Sequence, residues 1–192
     1  MKGLMGGETT PFPDFRAVRL CCLLLLQLLL AGCSQTPPPD RLVEGGAFPD
    51  LQLPRFDGGR VALSGYRGRL VVLNVWATWC APCRAELPSL DRLSRRLDPS
   101  RFAVIGLSVD SERDIAVEFL RQHQVRLVSY IDADQRIARD ILGIRVYPVT
   151  FIIGPRGRLL RRVVGERRWD RPQVMAALRR AVAGDGSALQ SL

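Results

Sequence analysis

Two nearly continuous apolar runs, each followed by a stretch of helical periodicity, organise the middle of this chain. Leu70-Val71-Val72-Leu73-Asn74-Val75-Trp76 has the pattern of a strand buried on both faces, and residues 102–109 repeat it. Between them Leu87, Leu90, Leu93 and Leu97 recur at helical spacing and predict a helix over about 80–97. Pro88 lies inside it, has no N–H for the carbonyl of Arg84, and is expected to kink it. Residues 114–123 predict a short amphipathic helix with Ile115, Phe119 and Leu120 on one side. The order strand, helix, strand, helix argues for parallel pairing through crossover connections.

Further along, residues 125–131 read as another strand, and Asp132–Gln135 as a turn feeding a short helix through Ile137, Ile141 and Leu142. Residues 149–153 and 159–164 flank Gly154-Pro155-Arg156-Gly157-Arg158, the pattern of an antiparallel hairpin, and a last helix is predicted over about 171–182. A small N-terminal hairpin is expected over 56–63, turned by Asp57-Gly58. The tail, 184–192, is expected to be loose, and there is no internal repeat.

The first thirty residues follow a different pattern. Lys2, Arg16 and Arg19 precede a leucine-rich stretch over 20–30, too short for a membrane span and suited to a signal-peptide core. It ends in Leu30-Ala31-Gly32-Cys33, which resembles the lipobox of bacterial lipoproteins. That resemblance implies cleavage of residues 1–32 and a lipid on Cys33, anchoring an exported chain to a bacterial membrane with its domain facing the periplasm. Residues 33–45, with Pro37-Pro38-Pro39, read as a flexible tether, and 46–183 as one globular domain. Loss of residues 1–32 removes three basic and two acidic side chains, so the net charge passes from +9 to +8. Such a basic domain invites a nucleic-acid partner. None is expected, because the only lysine is Lys2, the arginines are scattered, and an exported protein does not meet the genome. Solvated faces, or contacts to anionic headgroups beside the anchor, account for the arginine pairs.

Of five cysteines, only Cys80 and Cys83 fall in the globular part. They lie two residues apart in Trp76-Ala77-Thr78-Trp79-Cys80-Ala81-Pro82-Cys83, at the seam between a buried strand and a helix. A zinc site would need two further ligands, and the only histidine is His123. A disulfide framework would need more cysteines. Redox chemistry remains. A cysteine at a helix N-cap faces free N–H groups and the positive end of the helix dipole, which lowers a thiol pKa from about 8.5 to about 7 or below. Pro82 suits the first helical turn, which has no use for its missing N–H.

From Gly46 to Val182 the chain resembles the TlpA/ResA-like branch of the thioredoxin family, membrane-tethered thiol-disulfide oxidoreductases outside the cytoplasm. The resemblance implies a thioredoxin fold: an α/β domain with a central mixed sheet flanked by helices, an N-terminal hairpin and a ββα C-terminal half. It makes Cys80 the attacking cysteine and Cys83 the resolving one, with no cofactor beyond their disulfide and no metal. Pro148 matches the family's cis-proline, with Tyr147 before it; these two and Trp79 form the expected substrate-binding face. Asn74 occupies the position where cytoplasmic thioredoxins carry a proton-exchanging Asp. Glu86, three residues after the second cysteine, matches the acid of the ResA-like proteins, on the same helix face as Cys83. Gly154 departs from the family, which often has an acid there. The implied partners are client proteins with disulfides, plausible ones being apocytochrome c and copper-site proteins, and a membrane thiol transporter of the DsbD or CcdA kind as electron donor. Ala81-Pro82 offers no group to support the thiolate, so a reductant is expected. Two alternatives stay open: a thiol peroxidase, since peroxiredoxins share the fold although Ala77 stands where they have Thr or Ser, and a non-catalytic tethered binding module.

Overall fold

Leu70–Trp76 forms the strand around which the domain is built, buried along its whole length. The computed structural model describes residues 42–192, which fall within one compact unit holding its own core; the signal segment, Cys33 and residues 33–41 of the tether lie outside the described residues. The strands are β1 (Gln52–Pro54), β2 (Arg60–Ala62), β3 (Leu70–Trp76), β4 (Phe102–Ser108), β5 (Val128–Ile131), β6 (Val149–Ile153) and β7 (Leu159–Val164), and the helices α1 (Ala81–Arg96), α2 (Arg113–Gln122) and α3 (Pro172–Val182).

Five strands form a mixed sheet in the order β5-β4-β3-β6-β7. β3 pairs in parallel with β4, and β4 with β5, while β6 runs antiparallel to both β3 and β7. β3 and β4 are fully buried, as their continuous apolar runs require. Against the sheet α1 lays Leu87, Leu90 and Leu93, none of which retains exposed surface. It runs on through Pro88 to Arg96. Gly106 in β4 is needed for a close approach: a Cβ there would lie 2.9 Å from the Trp76 indole nitrogen and 2.7 Å from Ser129 Oγ. Trp76 can therefore pass close over Gly106 and meet Phe119 of α2, ring centres 5.7 Å apart.

The β6–β7 hairpin closes with an irregular register beside the departure at Gly154: Ile152 pairs with Arg161 but Ile153 with Leu159, which leaves Leu160 as an extra residue on β7, and the Gly154 N–H donates to Arg158 O at 2.8 Å. The N-terminal hairpin begins earlier than its Asp-Gly signal suggested. Leu53 of β1 pairs with Val61 of β2, and the turn is Arg55–Gly59, with Arg55 N–H donating to Gly59 O. Strand β5 starts at Val128 rather than 125, because the Val125 N–H is already used to close the end of α2 on Leu120 O. On α2 the buried face is Ala116 and Leu120 with Phe119 beside them, and Ile115, one residue out of phase, is exposed. The short helix after β5 is a single wide turn, Ile137–Ile141, in which Leu142 N–H reaches Ile137 O. That spacing buries Ile137 and Leu142 and turns Ile141 outward.

Both boundaries of the domain need correction. Glu44, placed in the tether by its sequence, accepts from the Arg162 N–H and pairs with Arg161 at 3.3 Å, while Gly45 N–H donates to Leu159 O. The last residues of the expected tether thus belong to the fold. The tail is not loose: Gly186–Ser191 forms a 3-10 turn packed against α3 and β7, and Leu189 is fully buried. Leu189→Ala should therefore lower the unfolding free energy by about 2–5 kcal/mol, measured by urea denaturation. A loss below about 0.5 kcal/mol, the surface-substitution range, would mean the tail does not pack.

Candidate active site

Buried strand β3 ends at Trp76, and four residues later Cys80 is the N-cap of α1, its backbone extended (φ −91°, ψ 104°). Its Sγ accepts from the Cys83 N–H at 3.3 Å, one of the orphan donors of the first helical turn. Any negative charge on this sulfur meets an N–H aimed at it and the positive end of the helix. Cys80 and Cys83 form a disulfide. Cys80 retains slight exposure and Cys83 none, so only the first can meet a large partner.

The loop carrying Cys80 is fixed from the neighbouring strand. Because Trp76 pairs with Ser108 at the end of β4, the residues that follow both strands meet. Asp110 accepts from Thr78 Oγ1 at 2.7 Å, from the Thr78 N–H at 3.1 Å, and from Ser108 Oγ at 2.7 Å. On the other side the chain reaches Tyr147-Pro148, joined by a cis peptide bond as the family match implied. The Tyr147 ring meets Trp79 edge-on, ring centres 5.6 Å apart. Trp79 is 58 % exposed. Val146 is exposed to the same degree, so the loop before Pro148 and the residue before Cys80 present apolar surface together. Tyr147 is half-buried, and burial pushes its phenol up, opposed by the nearby Arg139 guanidinium.

Glu86 lies beneath this surface with no exposure at all. Its Oε1 accepts from Asn74 Nδ2 at 2.6 Å, and its Oε2 from Trp169 Nε1 at 3.0 Å and the Arg167 N–H at 3.1 Å. Asn74 also donates to Thr150 Oγ1 at 2.9 Å, across the β3–β6 pair. Asn74 thus serves the carboxylate as a donor. Trp169, Thr150 and Asp110 were not singled out by sequence reasoning. Thr150 and Asp110 could have been found by registering the buried strands against one another; Trp169 sits in a polar segment with no local signal. His123 is exposed at the end of α2, its ring stacked on Phe119. Among the described residues no group of three or more His, Cys, Asp or Glu side chains could hold a metal.

Burial holds the Glu86 carboxyl above its ordinary value, and the donors from Trp169, Asn74 and Arg167 oppose this in part. The folded protein therefore binds this proton more tightly than the unfolded chain does. Its contribution to stability is complete below the unfolded carboxylate pKa and is lost as pH rises through the raised folded value. Glu86→Gln cannot titrate. For the oxidised protein, the difference in Tm between Glu86→Gln and the parent should shift in favour of glutamine between about pH 4 and about pH 8. A difference independent of pH would show that this carboxyl is not raised.

Comparison with known proteins agrees with this geometry. The AhpC/TSA family matches residues 45–162. A thiol-disulfide oxidoreductase ResA of Bacillus thuringiensis is 30% identical over 128 residues, covering 66% of this chain and 73% of that protein. A thiol:disulfide interchange protein DsbE of Pseudomonas aeruginosa is 31% identical over 130 residues, 66% of this chain and 69% of that protein. Among solved structures, a secreted thiol-disulfide isomerase from Corynebacterium glutamicum superposes with a TM-score of 0.60 at 28% identity, over 68% of this chain and 84% of that one. A disulfide at a helix N-cap, a cis-proline beside it and these relatives lead to one assignment: the chain belongs to the AhpC/TSA family of thioredoxin-like proteins and is a thiol-disulfide oxidoreductase of the ResA/DsbE type.

Proposed function

We propose that the protein is a membrane-tethered reductant outside the cytoplasm, acting on disulfides of client proteins. The observation that carries this reading is the Cys80–Cys83 pair capping α1 with a fully buried Glu86 on the same helix. In the reduced protein the Cys80 thiolate attacks one sulfur of a client disulfide. The client S–S bond breaks, a Cys80–client disulfide forms, and one client thiolate departs and takes a proton. Cys83 then loses its proton to Glu86 and attacks Cys80 Sγ. A Cys80–Cys83 disulfide forms, and the second client sulfur leaves as thiolate and takes a proton from water, to which Glu86 returns the one it accepted. The client has gained two electrons and two protons. The client backbone lies along the segment before Pro148, against the exposed faces of Trp79 and Val146.

Ala81-Pro82 supplies no side chain that would over-stabilise the thiolate, which favours a reducing couple over an oxidising one. Such a couple outside the cytoplasm must be recharged, and a membrane thiol transporter of the DsbD or CcdA kind supplies the electrons. Cys33 holds the lipid that keeps the domain at the periplasmic side of a bacterial membrane, and apocytochrome c or copper-site proteins are the client classes that need reduced cysteines there. The name of the Corynebacterium relative, a secreted protein, supports the extracytoplasmic placement. The peroxidase alternative is disfavoured by Ala77, which offers no hydroxyl beside Cys80, and the binding-module alternative by the intact disulfide.

Cys83→Ser tests the cycle. Without a resolving thiol it should accumulate mixed disulfides between Cys80 and its clients, visible by non-reducing electrophoresis and identifiable by mass spectrometry. Capture of cytochrome or copper-site apoproteins is the expected result. A trapped set containing neither would remove the assigned clients, and no trapping at all would remove the two-step mechanism.

A further inference from the structure

The end of the domain opposite Cys80 carries positive charge that no ion pair uses. β3 and β4 both run toward the disulfide, with Leu70 opposite Phe102 at their start, and β6 ends at Ile153 beside Val71. The segments leading into β3 and β4, and the turn between β6 and β7, therefore share one end of the sheet. It is about 20 Å from the disulfide end, the length of a seven-residue strand. Arg67, Arg69, Arg101, Arg156 and Arg158 lie in these segments, and none makes an ion pair among the described residues. The carboxylates nearby are Asp50, which accepts from the Ser64 N–H and feels Arg67, Asp98, which accepts from Ser100 and feels Arg101, Glu44, paired with Arg161, and Asp185, paired with Arg180, so five arginines outnumber the two acids that have no ion-pair partner.

Two further observations lie at this same end. A groove between the β6–β7 turn and the end of α3 has Pro155, Leu160 and Val182 along it, with Arg156 and Arg158 on the same lining. Guanidinium groups beside an apolar wall fit a molecule that is anionic at one point and hydrocarbon at the next. The described chain also enters the fold here, with Gly45 N–H bonded to Leu159 O and Leu159 N–H to Gly46 O at the start of β7. Cys33 is nine residues before Leu42, which even fully extended is at most about 30 Å of chain.

We propose that this end of the domain is a docking face for the headgroups of anionic phospholipids, so that the protein lies on the bilayer with Cys80 pointing away from it. The proposal extends the tethered reading above, whose anchor supplies the bilayer. Anionic leaflets attract arginines lying within a Debye length of the surface, and a domain held at this end cannot bury its disulfide against the membrane. Client access is then set by orientation as well as by the length of the tether.

Residues 42–192 hold the whole described core and can be tested without any lipid. Co-sedimentation with vesicles of phosphatidylglycerol and phosphatidylcholine should show binding that is absent with phosphatidylcholine alone and is reversed by high salt. Changing Arg69, Arg101, Arg156 and Arg158 together to Gln should lower that binding roughly tenfold or more. Changing Arg60, Arg139, Arg145 and Arg171 to Gln removes the same charge elsewhere on the surface and should change it less than about threefold. Should the first set fail to fold by circular dichroism, Arg156→Gln with Arg158→Gln, both on an exposed turn, replaces it with an intermediate loss. Equal loss in both sets, equal binding to both vesicle types, no binding, or binding to polyglutamate in place of vesicles would each overturn the proposal. The anchor is read separately, in cells. Metabolic labelling with an alkyne fatty acid should tag the full-length parent and not Cys33→Ser; an untagged parent would remove the lipid anchor, and the vesicle result would still decide the docking face.

Discussion

One buried carboxylate governs how the site is assembled. Glu86 has no exposed surface, and a carboxyl in that position must be bonded on both oxygens or be excluded from the fold. Its donors come from places far apart in the chain: Asn74 from the middle of β3, and Trp169 with the Arg167 N–H from the segment leading to α3. Asn74 in turn reaches Thr150 on β6, two residues after the cis-proline. The requirement to satisfy one acid thus draws together α1, the two central antiparallel strands and the C-terminal segment directly behind the disulfide. Burying the group also changes its affinity for a proton. Desolvation raises its proton affinity, and a residue that both holds and releases a proton at this depth can serve a thiol that water does not reach.

The front of the site is fixed by other means. Asp110 holds Thr78 by side chain and backbone, so the turn between β3 and α1 cannot slide, and Cys80 stays at the N-cap where its sulfur meets the Cys83 N–H. Trp79 and Tyr147 close the gap between that turn and the cis-proline segment while leaving Trp79 mostly open. A rigid, polar-bonded base thus supports an apolar lip. This division suits an enzyme that must position two sulfurs closely yet leave one of them open to a partner.

Much of this was legible from local pattern. β3, β4, β6 and β7 follow from apolar runs of strand length, and α1 from its leucine spacing together with a capping cysteine. Glu86 and Pro148 came from matching a family motif residue by residue. What stayed hidden depends on distant partners. Trp169 looks like one more residue in an arginine-rich loop until its indole is found on a carboxylate 83 positions earlier in the chain. Leu189 lies in a tail of small and polar residues and is buried only because α3 and β7 present a surface to it. Ile115 shares a predicted face of α2 with Phe119 and Leu120, yet it is exposed and Ala116 is buried, because the helix is oriented by how Phe119 meets Trp76 and Leu120 enters the core. Asp110 follows a buried strand with no motif around it, and its role appears only once β4 is laid parallel to β3.

The reductant reading and the role of Glu86 meet in a single titration: the midpoint potential of the Cys80–Cys83 couple, equilibrated against glutathione from about pH 5 to about pH 9, for the parent and for Glu86→Gln. A reductant with a proton-holding acid behind its second thiol should lie more negative than about −180 mV at neutral pH, the disulfide-isomerase value. Its potential should follow pH along a different curve from the glutamine variant. A potential more oxidising than that value, or two curves that superimpose, would contradict it.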